Sequence, residues 1–456
     1  MNMRLKGMAS DEKQTRLFGT NGIRGVPNLD LTQDLCINIG LSISEVFRKN
    51  STVAMARDTR KSGPFVFSLV SSGILSGGRN IVDIGILPTP ALQLYCRDNK
   101  IPGVMITASH NPPQYNGIKV IDPDGTEASK ETEMSIETVY RQGTYSRSEW
   151  HGTGTVWHEP DYYRTYADSV LGSAGLRNRH LKYNVVFDAG NGASYLTTPL
   201  MLQEAGVRLV TLNCNPDGRF SSRNSEPKPE NLKDLRTVIS AGGYDIGIAH
   251  DGDADRCVFF DENGNYADGN VILAIFARYL CHKGDTVVTP VSTSDALQDV
   301  CEEREIRLVR TVVGAPVVAR TLRTVKGSLG GEENGGIIYP RHQYCRDGAM
   351  SAALMLSIMH DSGKSLSDLI SEIPHYTTIK ESVERKADWN VISSRLESAS
   401  GIVKIDRTDG LKIFEKDGWA LIRPSGTEPI IRIYTSSRIS DVAERLLKKY
   451  RKIIAG

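Results

Sequence analysis

The chain has 456 residues, enough for about three or four domains of ordinary size. Lysine plus arginine number 55 and aspartate plus glutamate 54, a formal net charge of +1. That balance argues against a polyanion-binding surface but leaves room for a small anionic ligand held by a local cluster. With 39% hydrophobic and 24% charged residues the composition is that of folded domains. The longest uncharged stretch of note, 62–78, is broken by Gly, Ser and Pro, so no membrane span is expected. The N-terminal MNMRLKGMASDEK has no apolar core, so no secretory signal is expected either. Cysteines at 36, 96, 214, 257, 281, 301 and 345 show no C-x-x-C spacing. The expectation is reduced thiols in a cytoplasmic protein, without zinc, disulfides, nucleic acid or membrane as partners.

In chain order, a helix is predicted over about 31–48, a strand at TVAMA (52–56) and a helix near 64–76. A strand at NIVDIG (80–85), a short helix after Pro90 and a strand at GVMIT (103–107) follow. Short apolar runs separated by helices point to sheets covered on both faces. The alternation resumes at YNVVFD (183–188), RLVTL (208–212) and DIGIAH (245–250), then at DTVVTP (285–290), RLVRTVVG (307–314) and GIIYP (336–340). The tail differs: strands at 376–384, 402–406, 411–415, 419–423 and 430–437 are joined largely by hairpin turns, with helices at 389–399 and 441–454. The expected organisation is α/β domains at 1–150, 151–252 and 253–372 and a smaller α+β domain at 373–456. A weak internal echo supports three related units. ITASHNPPQYNGIKVIDPDG, IAHDGDADRCVFFDENG and LGGEENGGIIYPRHQYCRDG each run from a lead-in through a polar, glycine-containing loop into a β-branched strand.

Those polar loops carry the chemistry. In DGDADR, Asp251, Asp253 and Asp255 alternate after an apolar strand. Carboxylates this close repel one another unless a cation lies between them, and an oxygen-only set suits Mg²⁺ or Ca²⁺. An EF-hand loop needs glycine at its sixth position, where Arg256 stands, so Mg²⁺ is the better match; a solvated acidic turn is the bland alternative. In TASHNP (107–112), Ser109 follows a buried strand and is a candidate nucleophile or phosphate carrier. No G-x-S-x-G elbow surrounds it, so a hydrolase triad is not indicated, and a capped turn explains the motif equally well. Lys119, on the following strand, is a candidate to point back at the same loop, with an exposed strand lysine as the equal alternative. RPSGTEP (423–429) combines hydroxyls and glycine with Arg423 and, beyond it, Arg432. These are the parts of a phosphate cradle, although an ordinary polar turn has the same composition. GEENGG (331–336) offers hydrogen-bonding groups suited to sugar hydroxyls, although on its own an acidic surface loop is the favoured reading; FGTNGIRG (18–25) holds the lone cation Arg24, a weak signal by itself, and RDTRKSG (57–63) reads as structural.

In their order and spacing these loops resemble the α-D-phosphohexomutase superfamily of phosphoglucomutase, phosphomannomutase and phosphoglucosamine mutase, over nearly the whole chain. The resemblance implies three similar α/β domains with mixed sheets and a smaller C-terminal α+β domain around a central cleft. It implies that Ser109 is phosphorylated in the active enzyme and that Asp251, Asp253 and Asp255 hold Mg²⁺ together with a phosphoserine oxygen. Arg24, His110, Lys119 and Arg256 would surround the transferring phosphate. Glu332 and Asn334 would read sugar hydroxyls. Arg423, Ser425, Gly426, Thr427 and Arg432 would grip the substrate's other phosphate. Where many relatives carry Ser-Gly-His, this chain has Asn334-Gly335-Gly336; the loop histidine is absent, and His342 is the expected substitute. The GEENGG form resembles the archaeal-type branch often assigned as phosphoglucosamine mutase, so glucosamine 6-phosphate to glucosamine 1-phosphate is the expected reaction, with a broad phosphoglucomutase/phosphomannomutase as the alternative. The implied chemistry is two phosphoryl transfers through a hexose 1,6-bisphosphate, which is both intermediate and activator. Lys119 is the candidate acid and base, its pKa expected to be lowered by burial beside Arg24 and Arg256. A Mg²⁺-dependent sugar phosphatase and a sugar-phosphate-binding protein are the more remote readings. The expected assembly is a monomer, homodimer or homotetramer.

Overall fold

The computed structural model describes residues 16–19, 22–425 and 429–455. Its strands form four sheets, and the first three share a plan. In the first, strands Gly103–Ile106, Thr52–Arg57, Asn80–Ile86 and Val156–His158 run parallel. The strand Asn116–Ile121 folds back antiparallel onto Gly103–Ile106, and Ile23–Gly25 adds to its outer edge. In the second, Ile246–His250, Asn184–Asp188 and Arg208–Leu212 are parallel, and Cys257–Asp261 turns back on Ile246–His250. In the third, Thr286–Pro290 lies parallel to both Arg307–Thr311 and Leu329–Gly331, and Ile337–Ile338 turns back on Leu329–Gly331. Each domain is therefore a parallel core ending in one antiparallel hairpin. The central strands are uniformly apolar because helices cover both faces: Gly103–Ile106 and Ile246–His250 are buried along their whole length.

The consequence for function lies in the hairpin loops. TASHNP, DGDADR and GEENGG occupy equivalent turns of the three mixed sheets, at the ends of the strands Gly103–Ile106, Ile246–His250 and Leu329–Gly331. The echo seen in the sequence is thus a repeated structural unit, and the three chemically loaded loops are its three copies.

Two expected boundaries shift. Residues 253–267, assigned from the sequence to the third domain, belong to the second sheet, because Cys257–Asp261 pairs with Ile246–His250 and Tyr266–Ala267 pairs with Cys257–Asp261. A cut at 252/253 would sever a hairpin. Likewise Val156–His158 lies beyond 150 but completes the first sheet by pairing with Asn80–Ile86. The fourth sheet is an antiparallel meander with one added strand, in the order Thr377–Glu384, Ile430–Ser437, Gly418–Pro424, Leu411–Glu415, Lys404–Asp406. The helix Ser440–Ala455 packs across it, burying Ala443, Leu446, Tyr450 and Ile454 at helical spacing. This domain docks on the third through Trp419, Leu421 and Tyr434 against Val291, and through Lys412, whose ammonium donates to the Val291 carbonyl at 3.0 Å.

Candidate active site

Ser109 sits at the tip of the first hairpin loop, 1% exposed, with a left-handed backbone at φ 51°. A non-glycine residue in that region costs on the order of 1–3 kcal/mol and persists only where its surroundings hold it. They do so here through Arg60. This fully buried guanidinium pairs with Asp58 at 2.9 Å and donates to the carbonyls of Ser109, Asn111, Pro112 and Tyr115 at 2.7 to 2.9 Å. Asp58 in turn accepts from the Thr107 hydroxyl at 2.6 Å, and Thr107 Oγ1 accepts from the Ser109 amide at 2.9 Å. The second domain closes over the same loop: Ser225 Oγ donates to the Ser109 carbonyl at 2.8 Å. Gly252 lets the two loops meet, since a Cβ there would lie 2.7 Å from that carbonyl oxygen.

The Ser109 hydroxyl donates to Asp251 Oδ2 at 2.8 Å. Asp251, Asp253 and Asp255 are all buried, and each has a potential ligand atom within 4.8 Å of the others'. Their outer oxygens are occupied. Asp253 Oδ2 accepts from Thr89 Oγ1 at 2.6 Å and from Lys119 Nζ at 2.7 Å, and Asp255 Oδ2 accepts from Arg346. Asp253 Oδ1 and Asp255 Oδ1 are buried without a hydrogen-bond partner. Two buried carboxylate oxygens without a hydrogen bond, one of them facing only Arg256 at 3.9 Å, are unfavourable unless a further cation joins them, and an all-carboxylate donor set fits a hard divalent ion. Burial and the charges of Asp255 and Asp253 push the Asp251 carboxyl above its usual range. Asp253 is penalised by burial too, but Lys119 and its hydrogen bonds hold it below.

Cations ring this acidic centre. Arg24, carried by the edge strand opposite Gly117, donates to Asn111 Oδ1 at 2.6 Å. Arg256 stands with its buried Nε 3.9 Å from Asp255 and 4.0 Å from Asp251, too far for a hydrogen bond. His110 has its Nδ1 3.4 Å from Ser109 Oγ; Arg256, burial and Arg24 depress its pKa far below the ordinary value, so the imidazole is neutral. Lys119 departs from expectation. Burial opposes its charge, but Asp253 at 2.7 Å and Asp255 at 3.7 Å outweigh burial and hold the ammonium above its ordinary range. The lowering expected from Arg24 and Arg256 is overridden by closer carboxylates.

The third hairpin loop joins this cluster from the side. The Cys257 amide donates to the Gly335 carbonyl at 3.0 Å, and Gly335 must be glycine, with φ 89° and a would-be Cβ 2.5 Å from the Cys257 carbonyl. Glu332 is buried and accepts from Arg346 at 2.9 Å; Asn334 Oδ1 accepts from the Gly336 amide at 3.1 Å and shapes the turn. His342 does not reach this loop. Its side chain is 1% exposed, with Nδ1 3.0 Å from Ser173 Oγ and Nε2 3.4 Å from Asp347. It is wedged between two helices, and the expectation that it replaces the missing loop histidine is corrected.

In the fourth domain, Arg423 and Arg432 face each other as direct cross-strand partners. Like charges in that position repel, an arrangement that favours an anion between them. Arg423 also pairs with Asp409 at 3.1 Å. The Ser425 amide donates to the Ile430 carbonyl at 2.9 Å, closing the loop; Gly426 and Thr427 lie outside the described residues. Sequence reasoning missed Arg60, Thr89, Ser225 and Arg346. Thr89 in LPTPAL and Ser225 in RNSEPK have no marking pattern, Arg60 and Arg346 stand out only as arginines in RDTRKSG and CRDG, and nothing local indicates which loop they hold.

Three repeated α/β domains that bring a serine, an acidic triad and the GEENGG loop together, with a fourth domain bearing cross-strand arginines, have the parts that phosphoryl transfer requires. The models for domains I, II and III and the C-terminal domain of phosphoglucomutase/phosphomannomutase match residues 15–147, 162–264, 268–376 and 379–452. The chain belongs to the phosphoglucomutase/phosphomannomutase family and is a phosphohexomutase. It is 39% identical to the phosphoglucomutase/phosphomannomutase of Thermococcus kodakarensis, covering 96% of this chain and 98% of that one. It is 38% identical to the phosphoglucosamine/phosphogalactosamine mutase of Sulfurisphaera tokodaii, covering 97% and 99%. A crystal structure of a family protein from Burkholderia thailandensis superposes with a TM-score of 0.86 over 97% of both chains at 24% identity. Among the described residues no helix is long and apolar enough to cross a membrane.

Proposed function

We propose that the protein interconverts glucosamine 6-phosphate and glucosamine 1-phosphate, with Ser109 as the phosphate carrier. The observation that carries this reading is the Ser109 hydroxyl, 2.8 Å from Asp251, at the rim of a carboxylate triad that retains two unpartnered oxygens. Asp251, Asp253 and Asp255 would hold Mg²⁺, which when bound neutralises charge on the transferring phosphate. The chain's own residues do the rest. Arg24 and Arg256 bind the phosphoserine oxygens, and the Arg256 Nε, which makes no hydrogen bond, is a donor suited to them. As the phosphoryl group leaves Ser109 Oγ for a sugar hydroxyl, that hydroxyl's proton is assigned to Lys119 Nζ, which must first release a proton to solvent as its ion pair with Asp253 and Asp255 loosens, and Ser109 Oγ takes up a proton in turn. The resulting bisphosphate turns over, and its other phosphate is returned to Ser109. Throughout, Arg423, Ser425, Gly426, Thr427 and Arg432 hold the phosphate that is not reacting. Positioning and charge supply the catalysis.

Glucosamine is favoured by the GEENGG loop and by the name of the Sulfurisphaera relative. A broad phosphoglucomutase/phosphomannomutase is the second reading, favoured by the Thermococcus relative's name. All seven cysteines are unpaired, in keeping with a reducing cytoplasm. The deciding experiment is a panel of glucosamine, N-acetylglucosamine, glucose and mannose phosphates, each with catalytic hexose 1,6-bisphosphate. The highest kcat/KM should fall on glucosamine phosphate. Equal or higher values for glucose and mannose phosphates would replace this reading with the second.

A further inference from the structure

Arg346 joins two loops that the sequence treats separately. It follows the strand Ile337–Ile338 and precedes the helix Gly348–Ser362, whose first turn is capped by Asp347. Its backbone bridges to Ile338, so its Cα is fixed by both neighbours. The side chain is 5% exposed. One terminal nitrogen donates to Asp255 Oδ2 in the triad at 2.5 Å, and the other donates to Glu332 Oε2 in the sugar-type loop at 2.9 Å. A guanidinium suits this task because its donors lie in one rigid plane and can serve two carboxylates at once.

The loop has made room for it. A Cβ on Gly336 would lie 2.3 Å from Arg346 Cδ, so any side chain at 336 would collide with the arginine's stem. Glycine at 336 and Arg346 are one packing solution: the arginine enters from the sequence beyond the hairpin and reaches Glu332 over the bare backbone of Gly336.

We propose that Arg346 is the positioning residue for sugar recognition, taking the place beside Glu332 that a side chain at 336 would otherwise claim and fixing Glu332 relative to the metal-loop residue Asp255. The inference rests on the reading of Glu332 as a sugar-hydroxyl acceptor. In hexosamine 1- and 6-phosphates the ring hydroxyls bearing neither phosphate nor amino group are those at carbons 3 and 4. A carboxylate held in place discriminates a hydroxyl from its absence; one left to swing does not.

The test is the ratio of kcat/KM for the native sugar phosphate over its 3-deoxy and 4-deoxy analogues, measured on the full-length protein. Glu332→Gln should lower the larger of these ratios about ten- to a hundredfold, the scale of a hydrogen bond to a charged group. Arg346→Met should lower the same ratio by a comparable factor, Arg346→Lys by less, and the Glu332→Gln/Arg346→Met double variant no further than Glu332→Gln alone. Gly336→Ala, which pushes the arginine aside and keeps its charge, should lower the ratio in the same direction and serves if Arg346→Met fails to fold. If Glu332→Gln lowers the ratio while Arg346→Met and Gly336→Ala slow native and deoxy substrates equally, the positioning role is overturned. A ratio unchanged in Glu332→Gln overturns the sugar-loop reading, and this inference with it.

Discussion

Replacing Arg60 with methionine tests whether the Ser109 loop is held or merely present. The guanidinium is 0% exposed and does two things at once: it neutralises Asp58 and donates to the carbonyls of Ser109, Asn111, Pro112 and Tyr115. Methionine fills much of the volume but leaves Asp58 as a buried charge with only hydroxyl and amide donors. Burial already pushes the Asp58 carboxyl upward with Arg60 beside it. Removing one partner of a buried ion pair typically costs about 3–5 kcal/mol. Because the protein has several domains, a single unfolding free energy is a poor readout. Native-state hydrogen exchange over the hairpin 103–121 reads the cost locally. Arg60→Met should lower the opening free energy there by about 3–5 kcal/mol and slow phosphorylation of Ser109 by bisphosphate. Asp58→Asn/Arg60→Met should recover part of the loss, because no buried charge is then left alone. Exchange in the single variant within about 0.5 kcal/mol of the parent, the range of ordinary surface changes, or a double variant worse than the single one, would refute the reasoning.

Other consequences are as direct. Exhaustive chelation should abolish turnover and Mg²⁺ restore it, while Asp253→Asn should raise the Mg²⁺ concentration needed for half-maximal rate; full activity after chelation would remove the metal assignment. Arg423→Ala should raise KM for both the 1-phosphate and the 6-phosphate about ten- to a hundredfold and leave Ser109 phosphorylation intact, whereas a defect in one direction alone would contradict a loop that holds either phosphate. Burial, with Arg310 nearby, pushes the Lys412 ammonium down to about 7 from its ordinary 10.5, against the pull of Asp295 and Asp406. The folded protein therefore binds fewer protons than the unfolded chain between about pH 7 and 10.5, and stability from this group should rise with pH across that window. Lys412→Met should flatten that rise in a denaturation series from pH 7 to 10; an unchanged slope would show that the interface with Val291 does not depend on the lysine's titration.

What could be read from the chain and what could not divide along a physical line. The strands Thr52–Arg57, Ile246–His250 and Thr286–Pro290 were legible because short β-branched or apolar runs between helices have few other uses. The three site loops were legible because their residues repeat a pattern. The helix Gly348–Ser362 was not: it is buried on all sides through Met359, so its sequence shows no helical period to detect. The 252/253 boundary was misplaced because a functional loop looks like a terminus when the strand after it is taken for the next domain's first. The place expected for His342 and the lowered pKa expected for Lys119 differ from the structure for a shared reason. Nearness in sequence put His342 with the sugar-type loop, yet its side chain turns toward Ser173; distance in sequence hid Asp253, which sits 2.7 Å from Lys119 across 134 residues. Which cations meet which carboxylates is a property of how the three hairpins converge, and no local pattern encodes it.

The central claim is that Ser109 carries the phosphate between the two positions of the sugar. The most direct measurement is to incubate the protein with hexose 1,6-bisphosphate bearing radiolabelled phosphate, map the labelled peptide, and chase with unlabelled hexose 6-phosphate in a rapid-quench experiment. Label should appear on Ser109, leave as hexose bisphosphate at a rate no slower than turnover, and be absent in Ser109→Ala, which should still bind hexose phosphate. Fully active protein that acquires no label on Ser109, or releases it more slowly than it turns over substrate, would contradict the account.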